Sequence, residues 1–203
     1  DFVLPPVTKA AALRTVHDLS FLTVPHCADA GLRAYLSQIV PSSVARAHHV
    51  LADSASTMRD LVRLLNVPAD KITVVYPGVE TRFEPIEDPA ALAQVRVRYR
   101  LGDLPFVLGV STLEPRKNWP ALIRGWARLR RETSLPHRLV IAGGKGWLVE
   151  EIFAAAEASG LRDDIVFTGF VDDTDLPALY TAADVFASTT LYEGFGIPIV
   201  EAM

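Results

Sequence analysis

The feature that most constrains this chain is a recurring unit of short apolar run, turn and amphipathic helix. Leu13 to Val16, Val50 to Asp53, Ile72 to Tyr76, Phe106 to Ser111, Arg138 to Ala142, Ile165 to Thr168 and Val185 to Ser188 read as strands. They are nearly continuous in apolar residues, as in parallel strands buried on both faces. Strands of that kind alternating with helices predict an α/β fold with parallel sheets and right-handed crossovers.

The stretches between them carry helical periodicity. Leu32, Tyr35, Leu36, Ile39 and Val40 fall on one helical face, and Pro41 is expected to kink or break that helix. Ser54 is placed to cap a helix with the stripe Met58, Leu61, Val62 and Leu65. Asn118 is placed to cap another, with Pro120 in its first turn and Leu122, Ile123, Trp126 and Leu129 facing the core.

From Tyr76-Pro77-Gly78 to Pro85 the chain turns polar and proline-bearing, which marks a domain junction. Two domains are expected, residues 1–82 and 83–203. The chain opens at Asp1-Phe2-Val3-Leu4-Pro5-Pro6 with neither a Met nor a charged-then-apolar leader pattern. It closes at Met203, barely two turns into an apolar helical start. Both domains are therefore expected to be incomplete, the first at its front and the second at its end.

Composition narrows the class of partner. A formal net charge of −4 argues against a nucleic-acid binder, which needs a basic surface to neutralise phosphates. Cys27 is the only cysteine, so no intrachain disulfide forms and a reducing, cytoplasmic setting is the simpler expectation. No apolar run approaches the ~18 residues needed to span a bilayer.

In open parallel sheets ligands bind beyond the carboxyl ends of the strands. His17-Asp18, Thr112 to Lys117, Gly143 to Gly146, Gly169-Phe170-Val171 and Thr189 to Gly196 occupy such ends. Arg116 and Lys117, two cations expected beside free backbone N–H groups at a helix start, suit a diphosphate. They also suit a solvated loop. Glu193-Gly194-Phe195-Gly196 lets backbone approach a ligand closely at a helix opening near Pro198, and Glu201 lies in that helix. A glycine turn with a dipole-stabilising glutamate is the plainer alternative.

Gly143-Gly144-Lys145-Gly146 fails the P-loop pattern and reads as a tight turn. His17 at a strand end either faces a reacting group or is structural. His48-His49 is expected to cap a helix dipole. Asp173-Thr174-Asp175 resembles a metal-binding Asp-x-Asp, yet it stands directly before a helix, so an N-cap is preferred and no metal site is expected. The arginines at 124, 128, 130 and 131 form a solvated helix face that is also compatible with weak attraction to anionic lipid.

Taken together these segments resemble one family. Glu193-Gly194-Phe195-Gly196-Ile197-Pro198-Ile199-Val200-Glu201-Ala202-Met203 resembles the E-x7-E signature of the retaining group-1 (family-four) glycosyltransferases. Val110 to Asn118 resembles their donor-phosphate segment. His17 to Phe21, Ser54 with its helix, Tyr76 to Val79, and Gly169 to Val171 with Leu176 to Tyr180 follow in the family's order.

The resemblance implies a GT-B architecture of two Rossmann-like parallel-sheet domains, with donor nucleotide held mainly by the second and acceptor mainly by the first. It implies that Arg116 and Lys117 neutralise the donor diphosphate and that Glu201 holds the ribose. The backbone at Val171 would border the base. Glu193 would meet the transferred sugar, with the Phe195 and Gly196 amides nearby, and His17 and Asp18 would line the reaction centre. No cofactor or metal is implied. The style resembles bacterial mannosyltransferases of surface-polysaccharide assembly, implying GDP-mannose as donor, a glycan or lipid-linked glycan acceptor, and contact with the inner face of the membrane. An inert nucleotide-sugar-binding module, or another GT-B enzyme such as an epimerase, remains an alternative.

Overall fold

The computed structural model describes Val3, Leu4 and residues 10–203. The leader pattern sought at Asp1, Phe2, Pro5 and Pro6 falls outside the described residues. The chain divides into two compact units, Asp1–Gly78 with Tyr192–Gly196, and Val79–Leu191 with Ile197–Met203.

In the first unit, strands β1 (Leu13–Val16), β2 (His49–Ala52) and β3 (Ile72–Val74) form a parallel sheet in that order. Val16, Val50 and Ala52 are buried against helices α1 (Ser20–Thr23), α2 (Ala30–Arg46) and α3 (Ala55–Leu65), chiefly Phe21, Val40, Val44 and Leu61. Helix α2 departs from expectation. It continues through Pro41 for a further turn, so the proline does not break it. Ser43 and Val44 beyond the proline are buried, and Lys71 Nζ donates to the carbonyls of Val44 and Ala45 at 3.1 and 3.2 Å. This packing outweighs the hydrogen bond that proline removes. The buried face of α2 is Leu36, Val40, Ser43 and Val44, while Leu32 and Tyr35 are exposed.

Ser54 does cap α3, its Oγ accepting from Thr57 N at 3.1 Å. The buried positions of α3 are Thr57, Asp60 and Leu61, and Val62 is exposed. Neither His48 nor His49 serves as the expected helix cap. His48 Nδ1 accepts from Ala12 N at 2.9 Å, and His49 Nε2 pairs with Thr73 Oγ1 at 2.8 Å. Ala12, just before β1, and Thr73 of β3 engage the two rings instead.

In the second unit, β4 (Phe106–Val110), β5 (Arg138–Ala142), β6 (Ile165–Gly169) and β7 (Val185–Phe186) form a parallel sheet in the order β6-β5-β4-β7. Its helices are α4 (Pro89–Arg98), α5 (Trp119–Glu132), α6 (Glu150–Ala158), α7 (Leu176–Ala182) and α8 (Ile197–Glu201). Successive residues of β5 bury opposite faces. Leu139 and Ile141 pack with Trp119, Ile123 and Trp126 of α5 and Ile152 of α6, whereas Val140 and Ala142 pack with Val95 of α4 and Leu179 of α7. A sheet covered on both faces needs the continuous apolar strands seen in the sequence.

Two expected caps are absent here. Asn118 stands at the start of α5 with a left-handed backbone (φ 54°) and no side-chain cap bond. Its contribution is tolerance of that conformation, which asparagine adopts more readily than most residues. Asp175 precedes α7, but its carboxylate instead accepts from Arg98 Nη1 at 2.8 Å and Tyr99 Oη at 2.7 Å. Leu129 is exposed, because α5 turns Trp119, Ile123, Trp126 and Ala127 inward.

The division at Gly78 differs from a single cut after Arg82. Arg82 Nη1 donates to the Asp173 carbonyl at 3.0 Å, and the Phe83 ring meets Tyr180 edge-on at 5.9 Å, so both belong with the second unit. The assignment of Tyr192–Gly196 to the first unit has no counterpart in a linear division of the sequence.

Candidate functional site

The strand order of the second unit locates its ligand-binding edge. The chain runs from β4 to β5 to β6 on one side, then returns to lay β7 on the other side of β4. In sheets of this type ligands bind at the carboxyl ends of the strands where the strand order reverses. The loops that follow β4 and β7 are joined by hydrogen bonds. The Arg116 carbonyl accepts from Leu191 N at 2.9 Å and Thr190 Oγ1 at 3.1 Å, and Thr189 Oγ1 donates to the Asn118 carbonyl at 3.1 Å. Arg116 and Lys117 therefore sit at the strand-order reversal.

The backbone amides beside them are not free. Lys117 N donates to the Glu114 carbonyl at 3.2 Å and Asn118 N to the Pro115 carbonyl at 3.0 Å, closing a 3-10 turn over Pro115–Lys117. Positive potential at this turn thus comes from the side chains and not from those amides. Arg116 Nη2 is held by Glu114 Oε1 at 2.8 Å, and the Glu114 side chain is only 5% exposed. The ion pair sets the direction of the guanidinium.

The glycine run after β5 is a packing device. A Cβ on Gly143 would lie 1.9 Å from the Ser111 carbonyl oxygen, and one on Gly146 would lie 2.6 Å from that of Leu113. Leu113 N donates to the Gly144 carbonyl at 2.9 Å and Gly146 N to the Leu113 carbonyl at 3.0 Å. The run lets the β5 loop lie directly against the β4 loop and brace it. After β6, Val171 is buried in the core, which leaves its backbone as the part able to meet a ligand, and Phe170 beside it is 71% exposed. Glu201 closes α8, and its Oε2 accepts from the Tyr180 phenol at 2.8 Å. Burial, then that hydrogen bond, push the Tyr180 phenol well above its ordinary pKa.

In the first unit, the register Val16↔Ala52 sets His17 and Asp53 side by side just past β1 and β2. His17 Nδ1 and Asp53 Oδ2 are 2.7 Å apart. An ionised carboxylate only accepts, so Nδ1 carries the proton of this hydrogen bond. The His17 side chain is 67% exposed. Asp18 is committed locally, its Oδ1 accepting from Ser20 N at 2.8 Å at the start of α1.

The segment Tyr192–Gly196 lies against these residues. A Cβ on Gly194 would fall 1.9 Å from the His17 carbonyl oxygen, so a side chain there is excluded. Buried Thr57 spans both segments, its Oγ1 directed at the His17 carbonyl (3.2 Å) and the Gly194 carbonyl (3.4 Å). The Phe195 ring lies 5.9 Å from that of Tyr76, and Gly196 adopts φ 95°. Tyr192 Oη donates to Asp60 Oδ2 at 2.6 Å.

Residues 95–203 match the family described as glycosyl transferases group 1, and residues 3–83 match glycosyltransferase family 4. The chain belongs to the group 1 glycosyl transferases. It is 33% identical over 203 residues to O-antigen chain mannosyltransferase B of Escherichia coli, a span of all of this chain and 53% of that protein. It is 41% identical over 133 residues to the GDP-mannose-dependent alpha-(1-6)-phosphatidylinositol monomannoside mannosyltransferase of Mycobacterium tuberculosis, covering 65% of this chain and 34% of that one. The fold is shared with Anabaena HepE in complex with UDP-glucose, with a TM-score of 0.74 and 23% identity over 94% of this chain and 50% of that one. Such structural neighbours are GT-B glycosyltransferases. This chain spans about half the length of the E. coli relative and of HepE, and about a third of the mycobacterial relative.

In this group 1 family member the residues singled out from sequence divide between the units. His17, Asp18, Glu193, Phe195 and Gly196 belong to the first, and Arg116, Lys117, Val171 and Glu201 to the second. Sequence reasoning missed Asp53, Thr57 and Asp60 in the first unit, and it gave no individual part to Tyr192, Glu114, Thr190 or Tyr180, which lay inside segments it had named. Asp53 was detectable, since adjacent parallel strands carry their last residues to one edge. Thr57 and Asp60 were detectable as polar residues at core spacing on α3. Nothing in the sequence marks Tyr192 as a partner of Asp60. Among the described residues no group of three or more His, Cys, Asp or Glu side chains could hold a metal ion, and no helix is long and apolar enough to cross a membrane.

Proposed function

We propose that this chain is a large part of an enzyme that transfers mannose from GDP-mannose to a glycan or lipid-linked glycan, with retention of anomeric configuration. The observation that carries the proposal is the placement of Arg116 and Lys117 at the strand-order reversal of the second sheet. A nucleotide diphosphate leaves with growing negative charge, and two fixed cations stabilise that charge without a divalent metal or organic cofactor.

In the second unit, Glu201 hydrogen-bonds the ribose hydroxyls and the Val171 backbone borders the base. In the first, Glu193 accepts hydrogen bonds from hydroxyls of the transferred sugar, with the Phe195 and Gly196 amides beside it. His17 presents Nε2 to the reaction centre and Asp18 helps to shape it. Mannose is supported by the E. coli relative, an O-antigen chain mannosyltransferase, and by the mycobacterial one, which is GDP-mannose-dependent. Retention rests on the likeness of the Glu193 to Glu201 segment to the retaining family. A lipid-linked acceptor puts the work at the inner face of the membrane.

The test is nucleotide release by the full-length protein from a panel of nucleotide sugars. GDP release from GDP-mannose, accelerated by a mannose-terminated glycan, and an α-linked product by NMR are expected. Binding of nucleotide without turnover of any donor would overturn the proposal.

A further inference from the structure

Residues 192–196 interrupt the second unit in sequence yet belong to the first in space. Polar contacts on either side of Glu193 help to hold them there. On one side of it, Tyr192 Oη donates to Asp60 Oδ2 at 2.6 Å. Asp60 is buried on α3, and its other oxygen accepts from Arg63 Nη2 at 2.7 Å. A buried carboxylate with both oxygens engaged has one orientation, so the phenol is directed to one place. On the other side, the one hydroxyl proton of buried Thr57 is directed at the His17 carbonyl (3.2 Å) and the Gly194 carbonyl (3.4 Å) together, and the Gly194 Cα rests against the His17 carbonyl with no room for a Cβ. Glu193 is thus the residue between two anchors.

From this geometry we propose that Tyr192 and Asp60 form a positioning pair, assisted by Thr57, that sets the backbone at Glu193 and with it the aim of the Glu193 carboxylate. The pair is given an indirect role, with no contact to donor or acceptor. It acts on transfer only through Glu193, and the inference rests on the reading of Glu193 as the sugar-contacting carboxylate. A carboxylate buried on α3 is costly unless it is hydrogen-bonded, and Tyr192 and Arg63 supply the bonds to Asp60. A tyrosine suits position 192 because its rigid ring carries the hydroxyl across to α3 with few rotatable bonds.

The test is a double-mutant cycle in the full-length protein, reading kcat and KM for transfer together with the midpoint of thermal unfolding. Tyr192→Phe removes only the hydroxyl. It is expected to lower kcat on the order of tenfold, with nucleotide diphosphate affinity unchanged. In a Glu193→Ala background the same substitution is expected to have no further effect on kcat, because the group it aims is gone. Asp60→Asn, which keeps an acceptor for the phenol, is expected to retain more activity than Asp60→Ala.

Wild-type kcat for Tyr192→Phe, beside an impaired Glu193→Ala, would overturn the positioning role alone. Equal losses with and without Glu193 would show a general structural role and overturn it too. Wild-type kcat for Glu193→Ala would remove the sugar-contact reading, and this inference with it. Should Tyr192→Phe not fold, Thr57→Val enters the same cycle and is read in the same way.

Discussion

The imidazole of His17 and the carboxylate of Asp53 meet at 2.7 Å at the carboxyl ends of two neighbouring parallel strands. Neither residue needs a loop to find the other, because the register Val16↔Ala52 delivers both to the same edge. The pair fixes the tautomer of the neutral imidazole, whose exposed ring then offers Nε2 as an acceptor. Asparagine at position 53 offers both a donor and an acceptor and so releases that tautomer. Asp53→Asn is therefore expected to lower kcat by about a hundredfold, with little change in thermal stability. Steady-state transfer assays and a melting curve, measured on one preparation, check this. An unchanged kcat would remove His17 from any role that depends on its tautomer.

Arg116 and Lys117 are adjacent, and substitution at Arg116 should act on stability as well as on binding. Arg116 is paired with Glu114, whose side chain is 5% exposed, and removing the guanidinium leaves a buried carboxylate without that partner. Arg116→Ala is expected to lower unfolding free energy by about 2 kcal/mol, besides weakening nucleotide diphosphate binding. Lys117→Ala should weaken nucleotide diphosphate binding by about 1.5 kcal/mol. Urea unfolding beside calorimetric titration with GDP measures both effects. Unchanged GDP affinity in both variants would sink the diphosphate assignment.

At Gly194 the limit is space. A methyl group there would lie 1.9 Å from the His17 carbonyl oxygen, a distance that requires backbone movement. Gly194→Ala is expected to destabilise the protein by about 3 kcal/mol and to abolish measurable transfer, since the shift displaces Glu193 and the end of β1 together. A glycine of the same type but with open space around it, Gly78, supplies the control. Gly78→Ala should melt within a few degrees of wild type.

Much of the fold was legible because buried parallel strands must be continuously apolar, and β1, β4, β5 and β6 could be placed almost to the residue. The strand-end rule singled out Arg116, Lys117 and His17, and the structure places all three just past strand ends. What could not be read was any property set by a partner distant in sequence. His48 looked like a helix cap until Ala12 N proved to be its donor, and Asp175 looked like one until Arg98 and Tyr99 claimed its carboxylate. Pro41 looked like a break because local rules say nothing of the packing around Ser43 and Val44. The anchorage of Tyr192 on Asp60 joins positions 132 residues apart, and no periodicity records it.

Three tyrosines should set the alkaline limit of stability. Tyr99, Tyr180 and Tyr192 all have phenols raised above the ordinary value of 10.0, in each case first by burial and then by a hydrogen bond to a carboxylate, from Asp175, Glu201 and Asp60 respectively. A phenol with a higher pKa in the folded state than in the unfolded one keeps its proton longer when folded. Its contribution is complete below about pH 10 and is lost as pH rises from there toward the folded value. The unfolding free energy should therefore be flat in these groups up to about pH 10 and fall above it. Tyr180→Phe and Tyr192→Phe should each make that fall shallower, because phenylalanine has no proton to release. Phenolate absorbance followed through an alkaline titration provides the direct measurement. A part of the signal should appear only with unfolding, and that part should shrink in each variant. If all five tyrosines ionise in a single step near pH 10 while the protein remains folded, the hydrogen bonds to Glu201 and Asp60 do not protect these phenols in solution.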